Sequence, residues 1–410
     1  MQYQADQHDG AKLRNAGFTA EFLLTAACCR WPPSQSRNTA VRAAVAEIDW
    51  DEFLRLVRRQ RVIGLAHEAL QSAGIDCPVA LAKELSQRSQ QIVRQNLSLA
   101  TETVRLQRAF EGAQIPTLVL KGVALAQLAY GSLTAKHARD IDFLVLPEHA
   151  EAGLRLLERE GYALSSPAER LGDAQRSALV RYAREAELFQ HDSKILVELQ
   201  WRAANNPLLL DGVDARSATQ SVALSGGVSV RTLAPDDLFA YLCVHGAQHA
   251  WSRLKWLADL NALVATNAAD IEQLYRHAQK IGAGLCAGQA LLLCQRLLAL
   301  NLPVPVADKI QADKRVQRLA AIALAAMTAR RTETEADAGF LGVTRSVGTQ
   351  FLLGQGWRFY AAQCRTASAG TFDVIGLPLP PSLYFLYPIL RLPLWLWRRA
   401  RLALSWDKPS

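Results

Sequence analysis

Several things are scarce in this chain of 410 residues. Its seven cysteines (Cys28, Cys29, Cys77, Cys243, Cys286, Cys294 and Cys364) form no CxxC pair, and the adjacent Cys28-Cys29 lies in an apolar helical run. That excludes a zinc ribbon or a disulfide framework and fits buried, reduced thiols in a cytoplasmic protein. No stretch reaches the ~18 uninterrupted apolar residues of a membrane-spanning helix. The polar start, MQYQADQHDGAKLRNAG, lacks the apolar core of a signal peptide. Glycine is sparse, and there is no internal repeat and no low-complexity tract.

What is present is globular material: 50% hydrophobic and 20% charged residues, with mean hydropathy +0.02. Such a length exceeds one ordinary core and predicts two or three domains. Alanine and leucine dominate, while β-branched residues concentrate in one island, so the chain reads as mostly helical with a small sheet. The net charge of +8 favours anionic partners such as nucleotides, nucleic acid or a membrane surface. The arginines are scattered along helices, which suits a solvated face better than a nucleic-acid groove.

The first hundred residues read as helices, one starting at Asp49-Trp50-Asp51 under an acidic cap. A long helix is predicted over 83–113. The texture changes at Ile115-Pro116-Thr117-Leu118-Val119-Leu120, a run suited to a buried strand. Lys121-Gly122 closes it, a short helix spans 123–130, and a polar loop follows over 131–139. A second strand, 140–146, ends at Pro147. An amphipathic helix over 148–161 ends in glycine. Beyond an irregular charged stretch come strands over 186–190 and 195–201, with a turn at 191–194. From Pro235 to about 330 the pattern is helical. A polar linker over 331–346 and a proline- and aromatic-rich tail complete the chain.

The chemistry sits in the island. Strand alternation puts Asp140 and Asp142 on one face. Two carboxylates so close repel unless a cation lies between them, which makes a hard-oxygen site for Mg2+ or Mn2+. Glu198, in the apolar strand Ile195-Leu196-Val197-Glu198-Leu199, completes a two-metal site if the two strands are neighbours. A lone DxD on a surface strand is commonly only alternation. Here Phe143-Leu144-Val145-Leu146 follows at once, so the pair opens a buried strand. Gly122, between strand and helix, lets the backbone approach a phosphate, and Lys121 adds a point charge. Arg139 adjoins the pair, either as its salt-bridge partner or as a triphosphate contact.

The segment LKGVALAQLAYGSLTAKHARDIDFLV resembles the head of a DNA polymerase β-type nucleotidyltransferase. It is closest to the bacterial family of uncharacterised nucleotidyltransferases and more distantly similar to tRNA CCA-adding enzymes. In those proteins a strand ends in Gly-Gly or Gly-Ser, a helix follows, D-x-D opens the next strand, and a further acidic residue lies on a later strand. Asp140 and Asp142 match the D-x-D, and Glu198 in LVELQW matches the third acid. IDWDEFLRLVRRQRV (48–62), HGAQHAWSRLKWLADL (245–260) and the aromatic tail are also similar to that family. Lys121-Gly122 stands where the superfamily has Gly-Gly or Gly-Ser, and Glu198 stands in place of the more frequent Asp.

The resemblance implies an α+β fold: a mixed-sheet nucleotidyltransferase core at 110–205 between helical regions at 1–109 and 206–330, with the linker and tail at 331–410. It implies transfer of a nucleoside monophosphate from ATP or another NTP donor to an acceptor, a small molecule or protein ahead of RNA. The alternatives are a catalytically lapsed nucleotide-binding or regulatory protein, to which the altered glycine motif points, and an RNA-tailing enzyme, which the charge permits.

Other residues have plainer readings. His245 and His249, spaced i and i+4, lack the Glu of a zinc-protease motif. They are read, with Asp259, as packing and hydrogen-bonding residues lining a cleft, where Arg253, Lys255 and Trp256 could meet a phosphate or a base. Lys136 and His137 are read as members of a solvated loop. The tail from Tyr384 to Trp397 is expected to pack back onto the protein, with peripheral membrane contact as its alternative.

Overall fold

The computed structural model describes residues 17–166, 171–224, 227–266, 270–329, 348–368 and 371–397 except 378, 388, 392 and 395. The linker expected over 331–346 and the end of the tail beyond 397 lie outside the described residues.

Short polar residues start the N-terminal helices. Thr19 caps α1 (Ala20–Cys28) and Ser34 caps α2 (Gln35–Ala44), each accepting a backbone N–H of the first turn. Asp49 does the same for α3 (Trp50–Arg59), accepting from Asp51 and Glu52. After α4 (Ile63–Ser72) comes α5 (Val79–Gly112), a single helix of 34 residues. It begins four residues before the expected start.

A five-stranded mixed sheet follows, with order β1-β2-β5-β4-β3. Its strands are β1 (Leu118–Val119), β2 (Asp140–Leu144), β3 (Ala163–Ser166), β4 (Glu185–Gln190) and β5 (Ile195–Gln200). Only β2 and β5 pair in parallel, and this pairing sets Asp142 directly beside Glu198. The sheet is interleaved with α6 (Gly122–Tyr130), α7 (Ala150–Arg159) and α8 (Asp173–Tyr182).

Alternation gives the sheet two unlike faces. Ile141, Phe143, Val197, Leu199, Ala186 and Leu188 are buried on one. Phe143 meets Phe110 of α5 with ring centroids 5.2 Å apart, and α7 comes so close at Gly153 that a Cβ there would stand 3.0 Å from Leu199 Cδ2. The opposite face carries Asp140, Asp142, Glu198, Gln200, Glu185 and Glu187, by the same strand registers.

The charged stretch expected to be irregular contains β3 and α8. An antiparallel hairpin, β6 (Thr219–Ala223) and β7 (Ser229–Leu233), falls inside the region expected to be helical from 206. These segments have weak periodicity of their own. β3 is held by pairing with β4, and β7 packs beside β1.

From α9 (Pro235–Gln248) the chain is helical again, through α10 (Leu254–Thr266), α11 (Ile271–Lys280), α12 (Gly284–Leu298), α13 (Val304–Ala312) and α14 (Lys314–Thr328). These helices share one apolar cluster with α1 to α4. Gln60 joins the two sets, donating to Met327 O and accepting from Leu254 N. Farther on, α15 (Gly356–Ser368) packs back through Phe359 and through Gln363, which accepts from Asn206. In the tail Tyr387 is buried, while Phe385, Ile389, Leu396 and Trp397 are exposed. No helix among the described residues is long and apolar enough to cross a membrane. All seven cysteines are unpaired.

Candidate functional site

Asp140 and Asp142 lie two residues apart on β2, and Glu198 lies beside Asp142 on β5. The backbone therefore brings all three carboxylates together, with one oxygen from each within 4.8 Å of the others. Asp142 is fully buried, and Asp140 and Glu198 are half-buried.

Lys121 stands at the end of β1. The next residue, Gly122, has φ +63° and starts α6, and a Cβ there would come within 3.1 Å of Asp140 O. Glycine thus permits both the left-handed turn and the close pass of the helix start against β2. Lys121 Nζ lies 2.8 Å from Asp142 Oδ1 and 3.5 Å from Glu198 Oε2. Burial opposes its charge, yet Asp142, Asp140 and Glu198 hold it protonated, well above the ordinary lysine range.

Gln200 escaped the sequence reading. Its Nε2 donates to Asp142 Oδ1 (3.2 Å) and to Glu198 Oε2 (3.4 Å). Tyr241 on α9 donates in turn to Gln200 Oε1 at 3.4 Å. The available signal was its position two residues after Glu198, on the same strand face.

Three acids face one ammonium. Burial pushes the Asp142 carboxyl well above the usual carboxylate range. Lys121 opposes that shift, and Asp140 and Glu198 add to it. Asp140 goes the other way: burial disfavours its charge, but Lys121, Lys255 and Lys136 hold its carboxyl low. Asp142 Oδ2 is buried with no hydrogen-bond partner. A buried carboxyl oxygen without a partner, beside two further carboxylates, fits a hard divalent cation, which would favour the ionised form of Asp142 and compete with the Lys121 ammonium for it.

The loop over 131–139 differs from the expectation of a solvated loop. Asn96, buried on α5, donates to Leu133 O and Lys136 O at 2.6 Å each and accepts from Ala138 N. Pinned in this way, the loop turns Lys136 inward, where it is 8% exposed and ion-paired with Asp259. Tyr130 also donates to Asp259, at 3.0 Å. His137 is half-buried, and burial with nearby Arg139 and Lys255 pulls it down to about 4. Arg139 itself is exposed and makes no ion pair with the three acids.

Lys121, Gly122, Lys136, His137 and Asp140 form one side of a narrow cleft, and His245, Lys255, Trp256 and Asp259 form the other. The histidines pack as the sequence suggested. His245 stacks on Tyr241, and His249 lies 4.9 Å from Trp256 with rings 17° apart. Among the described residues the only cluster suited to a metal is Asp140, Asp142 and Glu198. A larger cavity of ≈ 630 Å³, with Asp236, Asp237 and His277 in its wall, contains none of the three.

The profile of a family described as uncharacterised nucleotidyltransferase matches residues 46–299. The match spans α3 through α12, and so covers the sheet, the three carboxylates and the cleft. No curated protein matches the chain.

Proposed function

Since the chain belongs to the uncharacterised nucleotidyltransferase family, part of the polymerase β-like superfamily, we propose that it moves a nucleoside monophosphate from an NTP to an acceptor hydroxyl or phosphate, releasing pyrophosphate. The observation that carries this reading is the convergence of Asp140, Asp142 and Glu198 around one point, with Asp142 Oδ2 left without a partner. Divalent cations held there, Mg2+ or Mn2+, supply charge neutralisation at the phosphates and activation of the attacking oxygen.

The chain's own residues contribute the geometry. Asp140 and Asp142 would hold the cations, because they leave the same strand face at its mouth. Glu198 would be the third ligand and would help position or deprotonate the attacking hydroxyl. Gln200 keeps Asp142 and Glu198 in place through its two donated hydrogen bonds. Gly122 opens the start of α6 to the phosphates, and Lys121 adds positive charge beside it. Arg139, exposed at the entrance to β2, is the outer contact for the nucleotide.

A second reading, nucleotide binding without turnover, draws on Lys121, whose ammonium already bridges two of the acids. Calorimetric titration of ATP, GTP, CTP and UTP with Mg2+ tests the proposal, on wild type and on the Asp140→Asn/Asp142→Asn variant. Metal-dependent binding that the variant loses supports the site. A folded wild type that binds none of the four sinks the transfer reading.

A further inference from the structure

The end of the described chain carries an apolar surface left open to solvent. Twelve large hydrophobic residues are exposed among the described residues, and six of them lie between Leu377 and Trp397. They do not belong to a loose end. The helical turn Thr371–Gly376 leans on α8, where Gln175 donates to Ile375 O, and Ile375 is buried in the apolar cluster of the sheet. Tyr387 is buried against Ala178 and Tyr182 of α8, and its hydroxyl donates to Leu377 O and accepts from Leu379 N. The described residues from Tyr387 to Trp397 are helical. At helical spacing Ile389, Pro393, Leu396 and Trp397 stand at i, i+4, i+7 and i+8 and so share one face. All four are exposed, while Tyr387 lies about half a turn away, on the side held by α8. The segment thus turns its apolar face outward, the reverse of a helix packed on a core.

We infer that this face docks on an anionic membrane surface, with Ile389, Leu396 and Trp397 entering the interface and the neighbouring arginines meeting lipid phosphates. Charge selects this occupant. From Val374 to Trp406 the sequence holds no Asp or Glu, and it holds Arg391, Arg398, Arg399 and Arg401. A second copy docked face to face would set four arginines against four, whereas anionic headgroups neutralise them. Trp397 is followed directly by Arg398 and Arg399, and an indole beside guanidinium groups suits the depth of the headgroups. No helix among the described residues is long and apolar enough to cross a membrane, so the contact is with the surface. Because Tyr387 fastens the segment to α8, docking brings the sheet and its carboxylates to the lipid rather than leaving them on a tether. The docking needs no nucleotide and holds whether or not the chain transfers one.

Flotation tests this on the full chain, mixed with vesicles of phosphatidylcholine alone or of phosphatidylcholine with phosphatidylglycerol. The variants are Ile389→Ser/Leu396→Ser/Trp397→Ser, Arg398→Gln/Arg399→Gln/Arg401→Gln and, as a control at exposed valines elsewhere, Val79→Ser/Val304→Ser. Melting curves establish that each variant is folded. Wild type is expected to float with the anionic vesicles and to be released by high salt. The apolar variant should bind these vesicles roughly tenfold or more weakly. The arginine variant should lose the preference for anionic over neutral vesicles, and the control should float like wild type. Wild type that does not float with anionic vesicles, or an apolar variant that floats like wild type, overturns the docking. So does equal binding of wild type to both kinds of vesicle. Sedimentation without lipid reads the other occupant: a dimer that the apolar variant abolishes, in a chain that does not float, assigns the face to a second copy instead.

Discussion

Two regions meet at the same opening and are built on opposite principles. The sheet side gathers negative charge: three carboxylates with one oxygen each inside 4.8 Å, two of them in contact with Lys121. The opposite rim gathers positive charge, from Lys136 of the pinned loop and Lys255 of α10, with Asp259 of α10 paired to Lys136. Each concentration of charge is costly by itself. The carboxylates hold an orphaned oxygen, whereas Lys136 is satisfied by Asp259. Unsatisfied charge marks the parts poised for a ligand, and satisfied charge marks the frame around them. Asp142, with its unpartnered Oδ2, belongs to the first kind, and the Lys136–Asp259 pair to the second.

The strongest way to break this contrast is to neutralise the sheet side. Asp140→Asn/Asp142→Asn is expected to lower nucleotidyl transfer by about 10³-fold or more, measured as pyrophosphate release. Without metal the same variant relieves repulsion among the buried acids but leaves buried Lys121 with Glu198 alone, at 3.5 Å, so its stability should fall. It should also lose the rise in Tm that Mg2+ gives wild type. A variant that transfers normally, or still gains stability from Mg2+, removes the carboxylates from the chemistry.

The frame should respond in the opposite sense. Asp259→Ala leaves Lys136 buried without its partner, and breaking such a pair costs about 3–5 kcal/mol, read from urea unfolding. Adding Lys136→Met should recover most of that loss. If Asp259→Ala costs nothing, the pair is not structural and Lys136 joins the ligand-seeking groups.

How far these regions are legible in the sequence follows from how each is built. Asp140, Asp142 and Glu198 could be found because a strand has period 2 and both strands are apolar enough to recognise. The caps at Thr19, Ser34 and Asp49, the long α5 and the helices after Pro235 are similarly local. Lys136 was misread because its burial depends on Asn96, forty positions earlier on another element. No local pattern reports such a contact. β3 and the β6–β7 hairpin owe their strands to partners more than to composition. Gln200 was within reach, since alternation from Glu198 puts it on the acidic face, but a glutamine carries no charge to draw notice. The positive rim is assembled from a loop and two helices, and only the fold brings these together.

Gln200 sharpens the comparison from the sheet side, because it touches two of the acids and no cation. Gln200→Leu is expected to weaken Mg2+ binding or lower activity by about 10- to 100-fold, the usual effect of removing a group that orients metal ligands. Gln200→Asn, which keeps the amide, should restore part of it. A purely structural role would instead lower stability with metal affinity unchanged, so Mg2+ titration followed by Tm separates the two.

The smallest effect concerns pH and the helical side. Burial holds His245 well below the ordinary histidine range, with Lys121 and His249 adding to it, and holds His137 at about 4. Both folded values lie below the unfolded one near ~6.5. Between those values the unfolded chain binds protons that the folded chain refuses, so stability is intact above about 6.5 and declines as the pH falls. The decline is at most about 1.4 kcal/mol per pH unit for each histidine. In His245→Gln the slope between pH 6.5 and 5 should be shallower than in wild type, whatever the substitution does to stability at pH 7. Comparing slopes rather than absolute stabilities isolates the proton from the packing of the ring on Tyr241. Equal slopes would mean that His245 is protonated in the folded protein, and an imidazolium there would have to be balanced by the acids of the sheet.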